Sequence, residues 1–177
     1  AKMGVSAEFQ VIDWDSKEAL LKGGNIDCIW NGFTVSEDRK KNVDFSDTHL
    51  LNKQVVVINS KDAGKYTSLD SLKGAMITAE KESAGELAVQ VGKIDSSYTA
   101  SARQMDGLTA VLAGNFDAVV LDYTLAKANC GKGDFELIHI VNGTPKRCNL
   151  PKSRSVAVIK VNIVKQLNRI ELADNSL

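Results

Sequence analysis

Short apolar runs of strand length alternate along this chain with segments of helical spacing, and this alternation restricts the fold more than any other feature. LNKQVVVIN at 51–59 is a long β-branched run, and DAVVL at 117–121 is apolar almost throughout. Runs of this kind fit strands buried within a sheet rather than strands with one wet face. Helical patterns between such runs are the mark of an α/β domain with a mainly parallel sheet.

Local signals place the elements. Phe9 and Val11 alternate with polar residues and predict a strand at 7–12. Asp15, with Glu18 three residues on, reads as a capping box for a helix at 16–22, which Gly23 and Gly24 end. A strand is expected at 26–30, with Cys28 as a small buried thiol and Trp30 in the core. Ser68 is expected to cap a short helix ending at Gly74, before a strand at 75–79. Ser83 and Glu86 form a second capping box, for a helix at 84–92. Ser101 is expected to start a helix whose Met105, Leu108, Val111 and Leu112 make one apolar stripe. After the strand at 117–121, further strands are expected at 135–141 and 154–160. A last helix is expected at 162–172, with Ile163, Leu167 and Ile170 on one face.

Composition narrows the function classes. The 177 residues carry 44% hydrophobic and 25% charged residues, as an ordinary globular chain does, and room for one larger domain or two small ones. The formal net charge is zero, which gives no footprint for nucleic acid or an anionic membrane. No apolar run approaches a membrane span or reads as a signal peptide, which leaves the compartment open because mature secreted proteins lack one too. Cys130 and Cys148 lie in loop contexts, where either a pair in an oxidising compartment or two thiols fit. His49 and His139 are isolated, so no metal site and no cofactor are expected. Nucleophile-elbow, phosphate-loop and dinucleotide motifs are absent from the sequence.

The densest chemistry lies at 23–47, GGNIDCIWNGFTVSEDRKKNVDFSD. An apolar run opens into Asn31, Gly32, Thr34 and Ser36, and Arg39 follows at helical spacing. Polar groups at the carboxyl end of a strand are where open α/β sheets bind ligands. A guanidinium matches a carboxylate with a planar fork of donors, and each sheltered charge-assisted bond contributes about 1.5–3 kcal/mol. The alternative for Arg39 is an exposed helix residue beside Glu37 and Asp38. Gly32 offers an unshielded carbonyl or is a turn glycine; Thr34 offers a hydroxyl and an N–H or ends a strand. Asp122 suits an ammonium partner or caps the helix after it. Ser83 and Ala84 open a helix whose free N–H groups attract an anion. Trp14 fits a core or rim aromatic. Glu80 ends a strand, where its acid would either pair a cationic side chain or sit at the surface.

These residues, in this order, resemble the signature of the bacterial extracellular solute-binding proteins, family 3, which serve polar amino-acid ABC transporters. The resembling pattern runs strand, Gly, Thr, Ser, Glu, Arg and a DFSD-like segment, with GNFDAVVLD later. It covers nearly the whole chain. The resemblance implies a type II periplasmic-binding-protein-like α/β fold, two doubly wound lobes joined by two crossover strands. Residues 1–50 and 151–177 would form an incomplete lobe one, and 51–150 lobe two, with crossovers near 49–53 and 142–152.

It also implies roles. Arg39 and Thr34 would hold the α-carboxylate of a bound amino acid, together with the helix start at Ser83 and Ala84. Gly32 and Asp122 would hold the α-amino group. Trp14 and Asn31 would touch the solute's side chain, and Asp117 would be structural. The family often carries Gly where this chain has Glu82. The partners implied are a free polar amino acid and the permease of an ABC importer. The chain is expected to be a monomer in the periplasm or a cell-surface lipoprotein, with no catalysis. A sensory ligand-binding domain of a receptor, or a dehydratase-like enzyme on the same scaffold, are the alternatives. AKMGV reads as the last turn of a helix, so sequence is expected before Ala1; the family's last helix is also absent.

Overall fold

The structure is a computed structural model that describes residues 6–47, 52–92 and 97–130, and the backbone of strands at 135–140 and 156–157. Residues 1–5, Cys148, the helix expected at 162–172 and nearly all of both expected crossovers lie outside the described residues. In chain order the elements are α1 (Lys17–Lys22), β1 (Phe33–Thr34), α2 (Glu37–Lys40), β2 (Gln54–Asn59), β3 (Met76–Glu80) and α3 (Ala84–Val91). They continue with β4 (Ser97–Ser101), α4 (Gln104–Leu112), β5 (Ala118–Asp122), α5 (Tyr123–Asn129), β6 (Phe135–Ile140) and β7 (Val156–Ala157).

Five strands form one sheet in the order β4-β3-β5-β2-β6. β3 pairs in parallel with β4 and β5, whereas β2 pairs antiparallel with β5 and β6. The sheet is therefore mixed rather than mainly parallel. Its apolar strands are buried on both faces. Val56 and Ile58 of β2 join Leu72, Ala88 and Val89 on the α3 side. Val55 and Val57 join Leu108, Val111 and Ala126, which places α4 and α5 on the opposite face. Each fully buried Val or Ile contributes roughly 1.5–3 kcal/mol of transfer free energy, before chain entropy is counted. The sheet is thus doubly wound. At Gly85 a β-carbon would stand 2.7 Å from the Val120 carbonyl oxygen, so only glycine lets α3 begin directly on β5.

A third apolar cluster gathers Leu21, Ile29, Phe33 and Val43, with Trp14, Ile26 and Phe45 against it. Phe33 is its centre, meeting Trp14 edge-on and Phe45 at an angle, both at 5.3 Å between centroids. β1 pairs antiparallel with β7, Phe33 opposite Ala157.

Several local expectations fail, each for a visible reason. Residues 7–12 form no strand; Phe9 and Val11 are 87% and 83% exposed, and among the described residues nothing pairs with them. Residues 26–30 form no strand either: Ile29 is buried, Cys28 only partly, and Trp30 stands 78% exposed instead of in the core. Asp15 does not cap α1. It sits inside a 3-10 turn, Trp14–Ser16, and its carboxylate takes Lys81 at 2.8 Å. Ser68 does make a capping bond, its Oγ accepting from the Ser71 N–H at 3.3 Å, but the turn it caps is 3-10, Asp70–Leu72, with the left-handed Gly74 after it.

Ser101 ends β4 rather than starting a helix, and Arg103 takes the cap position of α4. Only Leu108 and Val111 of the expected stripe are buried, beside Gly107; Met105 and Leu112 are about half exposed. The Ser83 cap does form: its Oγ accepts from the N–H groups of Gly85 and Glu86, each at 3.1 Å. Glu86 answers from one residue further back, accepting from the Glu82 N–H.

Candidate functional site

Chain order and strand order part company at β3. β4 lies on one side of it, and the next strand, β5, lies on the other. The parallel strands β3 and β5 therefore end side by side, with α3 and α4 on opposite faces, at a topological switch point. In open α/β sheets this is where ligands bind. The last residue of β3 is Glu80 and the last of β5 is Asp122. Both open onto a cleft that holds about 290 Å³ of empty space, open solvent included.

The cleft is lined by Trp14, Asn31, Gly32, Thr34 and Arg39 from around the Phe33 cluster, and by Glu80, Ser83, Ala84, Gln104 and Asp122 from the large sheet. Every residue singled out in the sequence for this site stands on its wall. Asn31 is folded onto the backbone, accepting from the Gly32 N–H through its own Oδ1 at 2.6 Å.

Arg39 is positioned by its own helix. Ser36 caps α2 by accepting from the Arg39 N–H at 3.2 Å. The guanidinium sits over the Phe33 ring, its carbon 4.6 Å from the centroid. One terminal nitrogen donates to the Thr34 carbonyl at 2.9 Å, and the other crosses the cleft to the Glu82 carbonyl at 3.0 Å. These bonds use two of its five N–H groups, so donors remain for a carboxylate. Burial pulls the Arg39 pKa below its ordinary value, and the charges of Glu18, Asp122 and Glu82 oppose this.

Asp122 occupies the cap position of α5 but makes no capping bond. Its carboxylate turns to the cleft instead. Oδ1 accepts from Asn52 Nδ2 at 2.5 Å and Gln54 Nε2 at 2.7 Å, and Oδ2 from Gln104 Nε2 at 2.9 Å. Gln104 closes the ring by accepting the Asp122 backbone N–H at 3.1 Å. Asn52 and Gln54 are buried, so they hold the carboxylate in one place. Asp117, at the other end of the same segment, accepts from the Tyr66 hydroxyl and the Met76 N–H, a structural clamp away from the cleft.

The Glu80 carboxylate accepts from Gln104 Nε2 in a long bond of 3.4 Å. Burial raises its pKa above the ordinary value; the Gln104 bond opposes this, and the nearby Asp122 charge adds to it.

Two residues of this site carry no sequence expectation. Gln104 follows β4, whose residues SYTAS are mostly exposed and lack the apolar run that marks the other strands. With that strand unrecognised, the residue beyond its carboxyl end had no reason to draw notice. Lys17 is only 2% exposed. Its ammonium sits 4.9 Å from the Trp14 ring centroid and donates to the Trp14 carbonyl at 2.9 Å. It also reaches the Glu82 carbonyl at 3.5 Å. Burial lowers its pKa, and the Arg39 charge lowers it further. Glu82 thus takes two cations on one carbonyl, and it does so in a left-handed conformation, φ +54°.

Comparison with known proteins identifies the family and the fold. The family model described as bacterial extracellular solute-binding proteins, family 3, matches residues 1–149. The ABC transporter glutamine-binding protein GlnH of Bacillus subtilis (strain 168) is 29% identical over 117 residues, 66% of this chain and 42% of that protein. The arginine-binding extracellular protein ArtP of the same organism is 30% identical over 131 residues, 71% of this chain and 49% of that protein. The chain thus spans about half the length of the curated relatives it matches. A crystal structure of the substrate-binding protein of an amino acid ABC transporter superposes with a TM-score of 0.79 at 27% identity, covering 96% of this chain and 72% of that one. The fold is that of the type II periplasmic binding proteins, and the chain belongs to the bacterial extracellular solute-binding proteins, family 3.

Proposed function

We propose that this chain is the ligand-binding component of an ABC importer for a polar amino acid, held outside the cytoplasm and working as a monomer with a membrane permease. The observation that carries the reading is the placement of Arg39 and Asp122 on facing walls of one cleft. An α-amino acid has one carboxylate and one ammonium on adjacent atoms. Arg39, with the Thr34 and Ser83 groups, suits the first; Asp122, with the Gly32 carbonyl, suits the second. Trp14 and Asn31 border the side chain. Two relatives, a glutamine-binding and an arginine-binding protein, are consistent with this class of ligand.

In this reading the residues around Phe33, with 151–177, form one lobe and 51–150 the other. The contacts of Arg39 and Lys17 with Glu82, and of Lys81 with Asp15, then lie between lobes. A ligand that satisfies Arg39 and Asp122 together favours the closed arrangement by its differential contacts. The solute leaves unchanged.

The test is thermal unfolding of the 177-residue chain against each common L-amino acid. Ligand at 100 times its Kd adds about 2.7 kcal/mol, a Tm rise of roughly 5–10 °C for this size. A rise with a small set of polar amino acids, lost in Arg39→Ala, supports the reading; a folded chain that responds to none refutes it. Turnover of a bound carboxylic acid, abolished by Glu80→Gln, would instead establish the dehydratase-like alternative.

A further inference from the structure

The amino-acid reading assigns partners to Arg39 and Asp122 and leaves one charged group on the cleft wall without one. That group is Glu80. Of the ionisable residues lining the cleft, Arg39 is cationic, and Glu80 and Asp122 are anionic. A zwitterion placed between Arg39 and Asp122 cancels both and leaves a net negative charge in the cleft. No lysine or arginine among the described residues forms an ion pair with Glu80, and its bond from Gln104 is long at 3.4 Å. The charge of Lys17 does act on Glu80. Its ammonium, however, is engaged by the Trp14 and Glu82 carbonyls and does not line the cleft.

Resting on the amino-acid reading, we infer that Glu80 selects a ligand whose side chain ends in a cation, an ammonium or a guanidinium. Three features of the cleft support this. Glu80 is the last residue of β3, so its backbone is anchored in the sheet beside the cleft. It stands on the same wall as Asp122, so one extended ligand can reach both acids. And a partly buried carboxylate without a cation is held at a cost that a cationic ligand removes. Such a ligand carries one net positive charge and complements the cleft as a whole. Gln104 is the positioning residue, since one amide touches both Asp122 and Glu80.

The test uses paired ligands that differ in charge and little in shape: L-arginine against L-citrulline, and L-lysine against L-norleucine, by calorimetry on the chain and on Glu80→Gln and Glu80→Asp. The chain should bind each cationic member at least about tenfold more tightly than its neutral counterpart. Glu80→Gln should bring the members of each pair within about threefold of each other, and Glu80→Asp should keep the preference. Circular dichroism checks that both variants fold. Equal binding of arginine and citrulline by the unaltered chain overturns the inference while the amino-acid reading stands. A preference that survives Glu80→Gln also overturns it, since the discrimination then lies elsewhere. Binding of no amino acid at all overturns both.

Discussion

Replacing Asp122 by asparagine removes one charge and almost no volume, and the structure sets its effect on the ligand-free chain. Oδ1 remains an acceptor for Asn52 and Gln54, but both bonds lose their charge assistance. Bonds to charged groups contribute about 1.5–3 kcal/mol and neutral ones about 0.5–1.5, so these two lose roughly 2–3 kcal/mol together. At the other position an amide NH2 meets the Gln104 NH2. Gln104 resolves that clash only by turning over, which takes the acceptor from the Asp122 backbone N–H and costs about 1 kcal/mol more. Removing a carboxylate that has no ion pair among the described residues returns part of this desolvation cost. The net loss is about 2–3 kcal/mol, a large share of a typical 5–15 kcal/mol stability. Urea unfolding without ligand measures it, as a lower midpoint with an unchanged slope. A loss below about 0.5 kcal/mol would refute the claim that buried amides fix this carboxylate.

Gly85→Ala drives a β-carbon against the Val120 carbonyl and should destabilise by about 1–3 kcal/mol in the same assay, while moving the Ser83 wall of the cleft. Glu82→Gly relieves the left-handed φ of +54° at a smaller cost in chain entropy, and thermal unfolding should show a gain of about 0.5–1 kcal/mol. Glu80→Gln should stabilise the ligand-free chain at neutral pH and not in acid. Burial raises the Glu80 pKa in the folded state, so the penalty of the ionised form applies above that raised value and vanishes below the ordinary 4.5. Paired unfolding curves from neutral pH to below 4.5 test this; a gain independent of pH would contradict it.

Much of the cleft was legible because its chemistry sits where strands end. Asp122 follows the apolar AVVL of β5, and Glu80 the buried residues of β3, so strand polarity alone points both at the switch point. Ser83 was legible as a cap, whereas the Ser36 cap that sets Arg39 on α2 emerges only in the structure. The family pattern supplied the joining of the two groups, which spacing does not contain.

The failures have one common cause: strand signals depend on pairing partners that a local window does not see. Phe9, Val11 and Trp30 have strand-like neighbours and no pairing strand among the described residues, and they are exposed. SYTAS has few apolar residues yet forms β4, because β3 offers it a parallel edge. Lys17 escaped for another reason: a lysine in an exposed-looking helix start carries no sign that aromatic rings and carbonyls will enclose it.

The most direct measurement is a crystal structure of the chain with the amino acid that most raises its melting temperature. The α-carboxylate should lie on the Arg39 guanidinium and the α-ammonium on the Asp122 carboxylate. A ligand bound away from Arg39 and Asp122, or held with its ends reversed, would contradict the central claim.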